Sequence, residues 1–432
     1  MTRHRGAIVV ALLAAALAAV VTPVQAHAAG PDRAFRTPIA HGAAAAHTAV
    51  SRSKLAAGLA RLFRRVGKSG AYVFDPAGNQ VLFARKAGRP RILASNTKLF
   101  TTSTALARFG PDARLNTTVW SSDDISDGIS QGLYLRGGGD PTLTSSGLVR
   151  LAQRVRDAGV TSVQGPLLYD ASFLDQVSGI PEHGITPEGV GTLSGLELDF
   201  GSPSDPAKTA AQRFEDDLRK DGVSIGNSVA PATVPPGALQ VADLPSEPMS
   251  ALVHDTNVPS NNFYAEMLLK DVGAQFGGSG STSTGISVVR QFASQQGARF
   301  AGENGSGLTR LNKASPASVV RLLDSMLEVD AKAPPDAQAA QQTLRDAWVG
   351  SLAVAGRSGT VANRMRGTAA SGNCHLKTGT LNGVSALSGY CFRGPEDADH
   401  AVIFSLLMNK ANVNRARVVQ DRMAALIARY SR

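Results

Sequence analysis

Residues 374–391 have the sequence CHLKTGTLNGVSALSGYC, in which two apolar runs flank Asn382-Gly383. This dipeptide between two apolar runs is the strongest short signal for a β-hairpin with a two-residue turn. Cys374 and Cys391 are equally distant from the turn, so a regular hairpin places them opposite one another, close to the spacing that a disulfide needs. We therefore predict a hairpin braced by a Cys374–Cys391 disulfide; two buried free thiols are the alternative.

The first strand of this hairpin carries Lys377, Thr378 and Gly379. An exposed strand edge aligns an extended peptide through main-chain hydrogen bonds, and the lysine and threonine side chains supply donors for a substrate carboxylate. The glycine lets a substrate approach the backbone closely, and the N–H of Thr380 is a candidate oxyanion donor. The alternative is an ordinary solvated hairpin.

A second polar motif, Ser95-Asn96-Thr97-Lys98, precedes an apolar run with helical spacing that ends at Gly110-Pro111. Residues three apart share a helix face, so the Lys98 amine is predicted to lie within reach of the Ser95 hydroxyl as its general base. The N–H of Ser95, at the helix start, is a further candidate oxyanion donor. Burial or another cation must lower the pKa of such a lysine, and Lys377 is the candidate cation. The alternative is an N-cap serine followed by an exposed lysine.

A third motif, Ser260-Asn261-Asn262, follows Pro259 and opens another apolar helical segment. Ser260 is predicted to relay a proton to the leaving group, and Asn262 to hold both the lysine and a substrate amide. An ordinary helix N-cap is the alternative. Together and in this order, the three motifs indicate an acyl-transfer enzyme whose nucleophilic serine is activated by lysine, and we predict no metal and no other cofactor.

Three further blocks add to this pattern: Gly138-Gly139-Asp140-Pro141-Thr142-Leu143, Asp170-Ala171-Ser172-Phe173, and Asn304-Gly305-Ser306-Gly307-Leu308-Thr309-Arg310. With the three motifs, they make the chain resemble the class C low-molecular-mass penicillin-binding proteins, the peptidase family of D-Ala-D-Ala carboxypeptidases and endopeptidases. The resemblance extends over roughly residues 55 to 430. Asn304 is a departure, since the family has Asp at this position.

The resemblance implies an α/β (α+β) fold: a β-lactamase/transpeptidase-like domain, in which helices flank an antiparallel sheet, with a smaller inserted domain. It implies a serine carboxypeptidase that removes the terminal D-Ala of peptidoglycan stem peptides through an acyl-enzyme, with cleavage of cross-links as a second activity. It also implies acylation by β-lactam antibiotics. Arg310 and Asp170 match family residues that line a pocket for the diamino acid of the stem peptide.

Two other functions stay open on the sequence alone. A serine β-lactamase shares the three motifs, although the long insertion between the first two argues against it. A non-catalytic wall-binding protein is the second alternative, and the intact set of polar site residues argues against that.

The chain of 432 residues is expected to be exported and to fold as a split catalytic domain. Residues 1–28 have the basic start, apolar run and small residues of a signal peptide, with an uncleaved anchor as the alternative. Residues 29–50 are expected to be a disordered linker. The catalytic domain is predicted to comprise residues 51–111 and 246–432, interrupted by an inserted domain at residues 112–245, with the site of a lost subdomain near residues 198–203.

The formal net charge is +10, and basic residues are concentrated near the start of the chain. Between residues 27 and 94, twelve lysines and arginines stand against two acids. A basic face of this kind favours anionic cell-wall polymers or a membrane surface, and an ordinary solvated surface is the alternative. Nucleic acid is not expected as a partner, because the sequence has an export signal and no recognised binding motif.

Overall fold

The two ends of the described chain meet in one antiparallel sheet in this computed structural model, which describes residues 49–64, 66–180, 190–393 and 400–430, apart from the side chains of residues 227 and 228. The helices described are α1 (Arg52–Phe63), α2 (Lys98–Phe109), α3 (Ser145–Asp157), α4 (Pro206–Lys220), α5 (Met249–Asn257), α6 (Asn262–Gly277), α7 (Thr282–Gln295), α8 (Pro316–Ser325), α9 (Pro335–Gly350) and α10 (Val413–Ile427). The strands described are β1 (Lys68–Asp75), β2 (Gln80–Arg85), β3 (Arg91–Ile92), β4 (Asn116–Ser121), β5 (Ile129–Ser130), β6 (Leu133–Arg136), β7 (Ser162–Asp170), β8 (Ser224–Pro231), β9 (Leu239–Pro245), β10 (Phe300–Ala301), β11 (Lys313–Ala314), β12 (Ala353–Val354), β13 (Cys374–Leu381), β14 (Val384–Cys391) and β15 (Val402–Asn409).

The main sheet has the order β12-β13-β14-β15-β1-β2, and every neighbouring pair is antiparallel. Every residue of β14 and β15 is buried, because helices cover both faces of the sheet. Helices α1 and α10 pack on one face, and α2 with the helices from α5 to α9 packs on the other. The predicted fold class, an antiparallel sheet flanked by helices, is confirmed.

The predicted hairpin is formed by β13 and β14. Their register pairs Cys374 with Cys391, and these two residues form a disulfide. Gly383 supplies the positive φ of 72° that the tight turn requires. Because successive side chains along a strand point to opposite faces, the disulfide lies on the α10 side while Lys377, three residues on, faces the helices around α2.

A second sheet lies entirely within residues 112–245. Its strand order is β5-β7-β6-β4-β9, with β8 also paired to β7; strands β5, β6 and β8 run parallel to β7, and the remaining pairs are antiparallel. Helices α3 and α4 supply most of the apolar side chains that bury one face of this sheet. The boundaries of the inserted domain stay a prediction.

At the predicted join, Asp199, Phe200 and Gly201 all have positive φ angles, so the chain makes a sharp left-handed turn there. A small apolar cluster connects the inserted region to α6 of the catalytic part; it contains Leu174, Ile180, Val190, Leu193, Phe263, Tyr264 and Met267.

Near the N-terminus, the predicted signal peptide and nearly all of the predicted linker lie outside the described residues. Val50, the last residue assigned to the linker, is instead buried and forms a parallel bridge with Tyr430. Within the described ranges, none of the helices is long and apolar enough to cross a membrane.

Candidate active site

Ser95 lies in a short 3₁₀ turn, Ala94–Thr97, which leads directly into α2. Ser95 is partly exposed, whereas Asn96 and Lys98, which follow it in the motif, are buried. Ala94 has a φ of 48°, an unusual value for a residue other than glycine. Non-glycine residues in this region cost conformational energy and tend to occur at functional sites, so the turn that presents Ser95 is held by its surroundings.

The amine of Lys98 lies among three oxygen atoms, one from its own motif and two from distant parts of the chain. Its Nζ is 3.4 Å from Ser95 Oγ and donates hydrogen bonds to Asn262 Oδ1 at 2.6 Å and to the carbonyl oxygen of Ser306 at 2.8 Å. A neutral amine has two N–H groups and one lone pair. Because the amide and carbonyl oxygens only accept, they take both N–H groups, and the lone pair is left for the Ser95 hydroxyl.

Complete burial lowers the pKa of Lys98 to about 7, and the charge of Glu266 partly opposes this effect. Lys377 is also fully buried, and its pKa lies well below the ordinary value, first because of burial and second because of the charge of Lys98. The sequence predicts that either burial or the charge of Lys377 lowers the pKa of Lys98. In the structure, burial is the main cause of the lowered pKa of Lys98. The repulsion between the two lysines lowers the pKa of Lys377 instead.

The second motif reaches the same place from α5 and α6. Ser260 has a φ of 66° and is partly exposed, and its Oγ accepts a hydrogen bond of 2.8 Å from Lys377 Nζ. Asn261 caps α6 by accepting from the N–H of Tyr264, as the N-cap alternative anticipates for this segment. Asn262 is thereby placed in the first turn of α6, where its Oδ1 meets Lys98.

The outer edge of β13 is open beside the serine turn. Cys374 accepts a hydrogen bond at its carbonyl oxygen from the N–H of Ala355. Cys374 therefore directs its backbone groups outward, away from β14. Alternate residues of a strand direct their backbone groups to the same side, so the N–H groups of Thr378 and Thr380 also face outward. Strand β12 pairs with β13 only as far as Leu376. The edge from Thr378 onward therefore has the geometry needed to accept an extended peptide.

Gly379 packs against the serine turn. A Cβ atom at this position would lie 2.6 Å from the carbonyl oxygen of Leu93 and 3.0 Å from the nitrogens of Ser95 and Asn96. The glycine was predicted to admit substrate to the backbone. The structure gives another physical reason for it, namely that the strand must approach the backbone of Ser95 closely.

Two hydrogen bonds of Asn96 tie the serine turn to the main sheet. Asn96 donates through Nδ2 to the carbonyl of Lys377 at 2.9 Å, and its Oδ1 accepts from Ser388 Oγ at 2.6 Å. Further along β13, outside the serine turn, the Thr378 hydroxyl donates to Thr360 Oγ1 at 2.8 Å. Asn96, the second residue of the first motif, therefore has a structural role, because it fixes the distance between Ser95 and β13.

Glu266 is a buried site residue that belongs to none of the three sequence motifs. It lies one turn after Asn262 on α6, and its carboxylate accepts from the N–H groups of Gly305 and Ser306 at 3.0 and 2.8 Å. These bonds hold the loop whose Ser306 carbonyl accepts from Lys98. Burial raises the pKa of Glu266, while the loop's hydrogen bonds and the Lys98 charge lower it. An acid four residues after Asn262, on the same helix face and between apolar residues, is the signal that could have identified it.

The departure at Asn304 has a structural consequence. Its Oδ1 accepts from the N–H of Gly307 at 3.0 Å and from Asn312 Nδ2 at 2.8 Å. Its own Nδ2 is buried and has no hydrogen-bond partner among the described residues. Asn312 also donates to Thr97 Oγ1 at 3.2 Å. The loop is therefore connected to the serine turn through Asn312.

Arg310 and Asp170 do not contact the serine cluster. Arg310 is exposed and donates to the carbonyl of Asn382 at 2.6 Å, at the turn of the hairpin that carries Lys377. Asp170 ends β7 in the inserted sheet; its carboxylate accepts from the N–H groups of Ser172 and Val234, and its side chain is 1% exposed. Asp170 lines a cavity of 550 Å³ within the inserted region. The pocket role of both residues stays a prediction.

The site thus combines a partly exposed serine, a buried lysine of lowered pKa and an open strand edge. This combination and the fold define a serine acyl-transfer enzyme of the transpeptidase-like class. The model of the D-Ala-D-Ala carboxypeptidase 3 (S13) family matches residues 53–188 and 200–430. The chain belongs to this family, and its enzyme class is that of a serine-type D-Ala-D-Ala carboxypeptidase, as the sequence predicted.

Curated relatives support the same assignment. A D-alanyl-D-alanine carboxypeptidase of an Actinomadura species is 31% identical over 84% of this chain and 81% of its own length. The carboxypeptidase DacB of Mycolicibacterium smegmatis is 28% identical over 80% of this chain and 77% of its own length.

Among solved structures, penicillin-binding protein 4 of Haemophilus influenzae has the same fold. Its TM-score is 0.69 at 19% identity, with 84% of this chain and 97% of that one covered. A predatory peptidoglycan endopeptidase of Bdellovibrio bacteriovorus matches with a TM-score of 0.51 at 16% identity, covering 80% of this chain and 86% of that one. At these identities the likeness shows the fold alone.

Proposed function

We propose that this enzyme hydrolyses the terminal D-Ala from peptidoglycan stem peptides with Ser95 as nucleophile and Lys98 as general base. The observation that carries the proposal is the arrangement around the Lys98 amine, in which two fixed acceptors leave its lone pair to the serine hydroxyl. Burial supports it, because a pKa of about 7 makes the neutral amine available at ordinary pH.

The substrate is proposed to lie antiparallel or parallel to the open edge of β13 as an additional strand. Its terminal carboxylate is received near Lys377 and the Thr378 hydroxyl, and the Asn262 side-chain amide holds the peptide from the other side of the cleft. Ser95 Oγ attacks the carbonyl carbon of the penultimate D-Ala, and the hydroxyl proton passes to Lys98. The N–H groups of Ser95 and Thr380 stabilise the oxyanion, and one such donor contributes ~3 kcal/mol to transition-state stabilisation.

Collapse of this intermediate breaks the C–N bond and leaves an ester on Ser95. Ser260 is proposed to relay the proton held by Lys98 to the departing amine of D-Ala, which returns Lys98 to its neutral form. The hydrogen bond that Ser260 accepts from Lys377 supports this role. Water then attacks the ester and gives a proton to Lys98. Lys98 passes this proton to Ser95 Oγ as the ester bond breaks, so that the shortened peptide leaves and the hydroxyl is regenerated. A penicillin presents its lactam carbonyl in place of the peptide carbonyl and is expected to acylate Ser95 in the same way.

Export is part of the proposal, because the stem peptide is found outside the cytoplasm. The Cys374–Cys391 disulfide supports it, since disulfides persist in oxidising compartments. The basic character of residues 27–94 supports association with anionic wall polymers or a membrane surface.

The test is release of D-Ala from a soluble peptide that ends in D-Ala-D-Ala, measured for the wild type and for Ser95→Ala. The proposal expects release by the wild type and none above background by the variant; equal release by both would contradict it. A parallel digest of purified wall sacculi, analysed for free D-Ala and for split cross-links, measures how activity divides between carboxypeptidase and endopeptidase reactions.

A further inference from the structure

A cleft of 350 Å³ lies where the inserted sheet meets the ends of α2 and α6. Its walls include Phe109 at the last residue of α2, Trp120 on β4 and Gln275 on α6. From the helical rise, Phe109 lies about 16 Å along α2 from Lys98. The cleft is therefore separate from the cluster around Ser95, and nothing in the proposed mechanism uses it.

Three aromatic rings line this cleft. Phe109, Trp120 and Phe173 are each partly exposed, so their rings are available to a ligand. The indole of Trp120 is fixed in position, because its Nε1 donates to Thr118 Oγ1 at 2.8 Å. Flat apolar surfaces of this kind pack against the C–H faces of sugar rings, and the cleft volume is within the range of small-molecule sites.

Two arginines add positive charge to the cleft, and no acid is among its described lining residues. Arg114 donates to the carbonyl of Ser246 at 2.5 Å, and Arg136 has its Nε 3.8 Å from an oxygen of Asp170 with 43% of its side chain exposed. A guanidinium carries five N–H donors in a planar fork, so a single anchoring contact leaves others for a ligand. Such a fork suits a carboxylate or a phosphate.

From these observations we infer that the cleft binds an anionic saccharide. The rings hold the sugar, and Arg114 and Arg136 hold its charged group. Two polymers of the cell wall have this chemistry: peptide-free glycan that carries a carboxylate, and glycopolymers that carry phosphate. The choice of a wall polymer rests on the proposed function, whereas the binding chemistry does not.

The test uses the natural fluorescence of the protein. The sequence has two tryptophans, and Trp348 is fully buried and donates to Tyr390, so a saccharide in the cleft changes the emission of Trp120 alone. The probes are a peptide-free disaccharide containing N-acetylmuramic acid, a hexose phosphate and the uncharged N,N′-diacetylchitobiose. We expect a saturable change with one or both anionic probes and weaker binding of the uncharged one; the tighter anionic probe identifies the polymer.

Variants make the inference falsifiable. Arg114→Gln and Arg136→Gln should each lower the affinity for the anionic probe about tenfold. This is the effect of losing one hydrogen bond to a charged group. Arg150→Gln, an exposed arginine of α3 outside the cleft, should leave binding unchanged. Equal affinity for charged and uncharged probes, or equal losses in all three variants, would overturn the inference, as would the absence of any saturable change.

The same variants separate this inference from the proposed function. Labelling of Ser95 by penicillin and D-Ala release from a soluble peptide should be at wild-type level in both cleft variants. If labelling fails in the wild type while saccharide binding is found, the proposed function is wrong and the cleft stands. If penicillin labels Ser95 but no saccharide binds, the proposed function stands and the inference about the cleft is wrong.

Discussion

The Lys98 amine sets the pH at which Ser95 becomes nucleophilic. Burial favours the neutral amine and lowers its pKa to about 7, so the fraction able to accept the serine proton increases as pH rises through this value. We expect the rate constant for acylation of Ser95 by penicillin to increase with pH and to level off above about 7, and Lys98→Ala to lower it about a thousandfold. Stopped-flow acylation across a pH series measures this; a rate independent of pH below neutrality would contradict it.

Gly379 sets how closely β13 approaches the serine. In Gly379→Ala the new methyl group would meet the carbonyl oxygen of Leu93 and the nitrogen of Ser95, so the strand or the turn must move. We expect such a displacement to lower the rate constant for acylation of Ser95 about a hundredfold. Gly88→Ala is the matched control, because a Cβ at this position would lie more than 4 Å from any atom in the part of the chain that the structure describes, its chain neighbours aside. Acylation rates of the two variants are compared, and equal rates would show that the close approach is not needed.

At the scale of the element, α6 presents Asn262 to the lysine and Glu266 to the loop at Ser306. Glu266→Gln removes a charge that raises the pKa of Lys98, so the acylation profile should shift to lower pH. A glutamine oxygen also replaces two carboxylate oxygens, so one of the two loop N–H groups loses its partner, at a cost of about 1–3 kcal/mol in the free energy of unfolding. Glu303→Gln, an exposed acid beside the same loop, should change neither quantity.

These two quantities are measured by the pH dependence of acylation and by urea unfolding. A Glu266→Gln variant with the wild-type profile and wild-type unfolding midpoint would show that the carboxylate plays no part in positioning Lys98.

The elements differ in how much their sequences reveal. The hairpin of β13 and β14 was predicted with its register and disulfide, because the Asn382-Gly383 turn and the cysteine spacing are local signals. The contact of Lys98 with the Ser306 carbonyl was not predictable, because a backbone carbonyl carries no residue-specific signal and its direction depends on loop packing. Glu266 was missed for a related reason: its partners are backbone N–H groups 39 and 40 residues away.

At the scale of the whole molecule, the catalytic groups depend on segments far apart in the chain. Asn96 and Lys377 are separated by 281 residues and Lys98 and Ser306 by 208, so the cleft exists only when the sheet and the helices around α2 are packed. The pattern of motifs predicted that they would converge. The order of the strands and the left-handed φ values at Ala94 and Ser260 depend on tertiary packing and could not be predicted from it.

The disulfide should contribute to global stability. It closes a loop between residues 17 apart, and constraining the unfolded chain over that length contributes about 3 kcal/mol to the free energy of unfolding. The double variant Cys374→Ala/Cys391→Ala is expected to lose this amount in urea denaturation. Reducing agent should destabilise the wild type by a similar amount and leave the double variant unaffected; a wild type insensitive to reduction would contradict the assignment.

The most direct test of the account is labelling with a fluorescent penicillin, followed by peptide mapping of the label and by its rate of loss. We expect a single labelled peptide containing Ser95, no label in Ser95→Ala, and persistence of the ester long after free penicillin is removed. Rapid loss of the label would identify a β-lactamase. A wild type that takes up no label, or a Ser95→Ala variant that is labelled as strongly as the wild type, would contradict the conclusion that Ser95 and Lys98 form the acylation site.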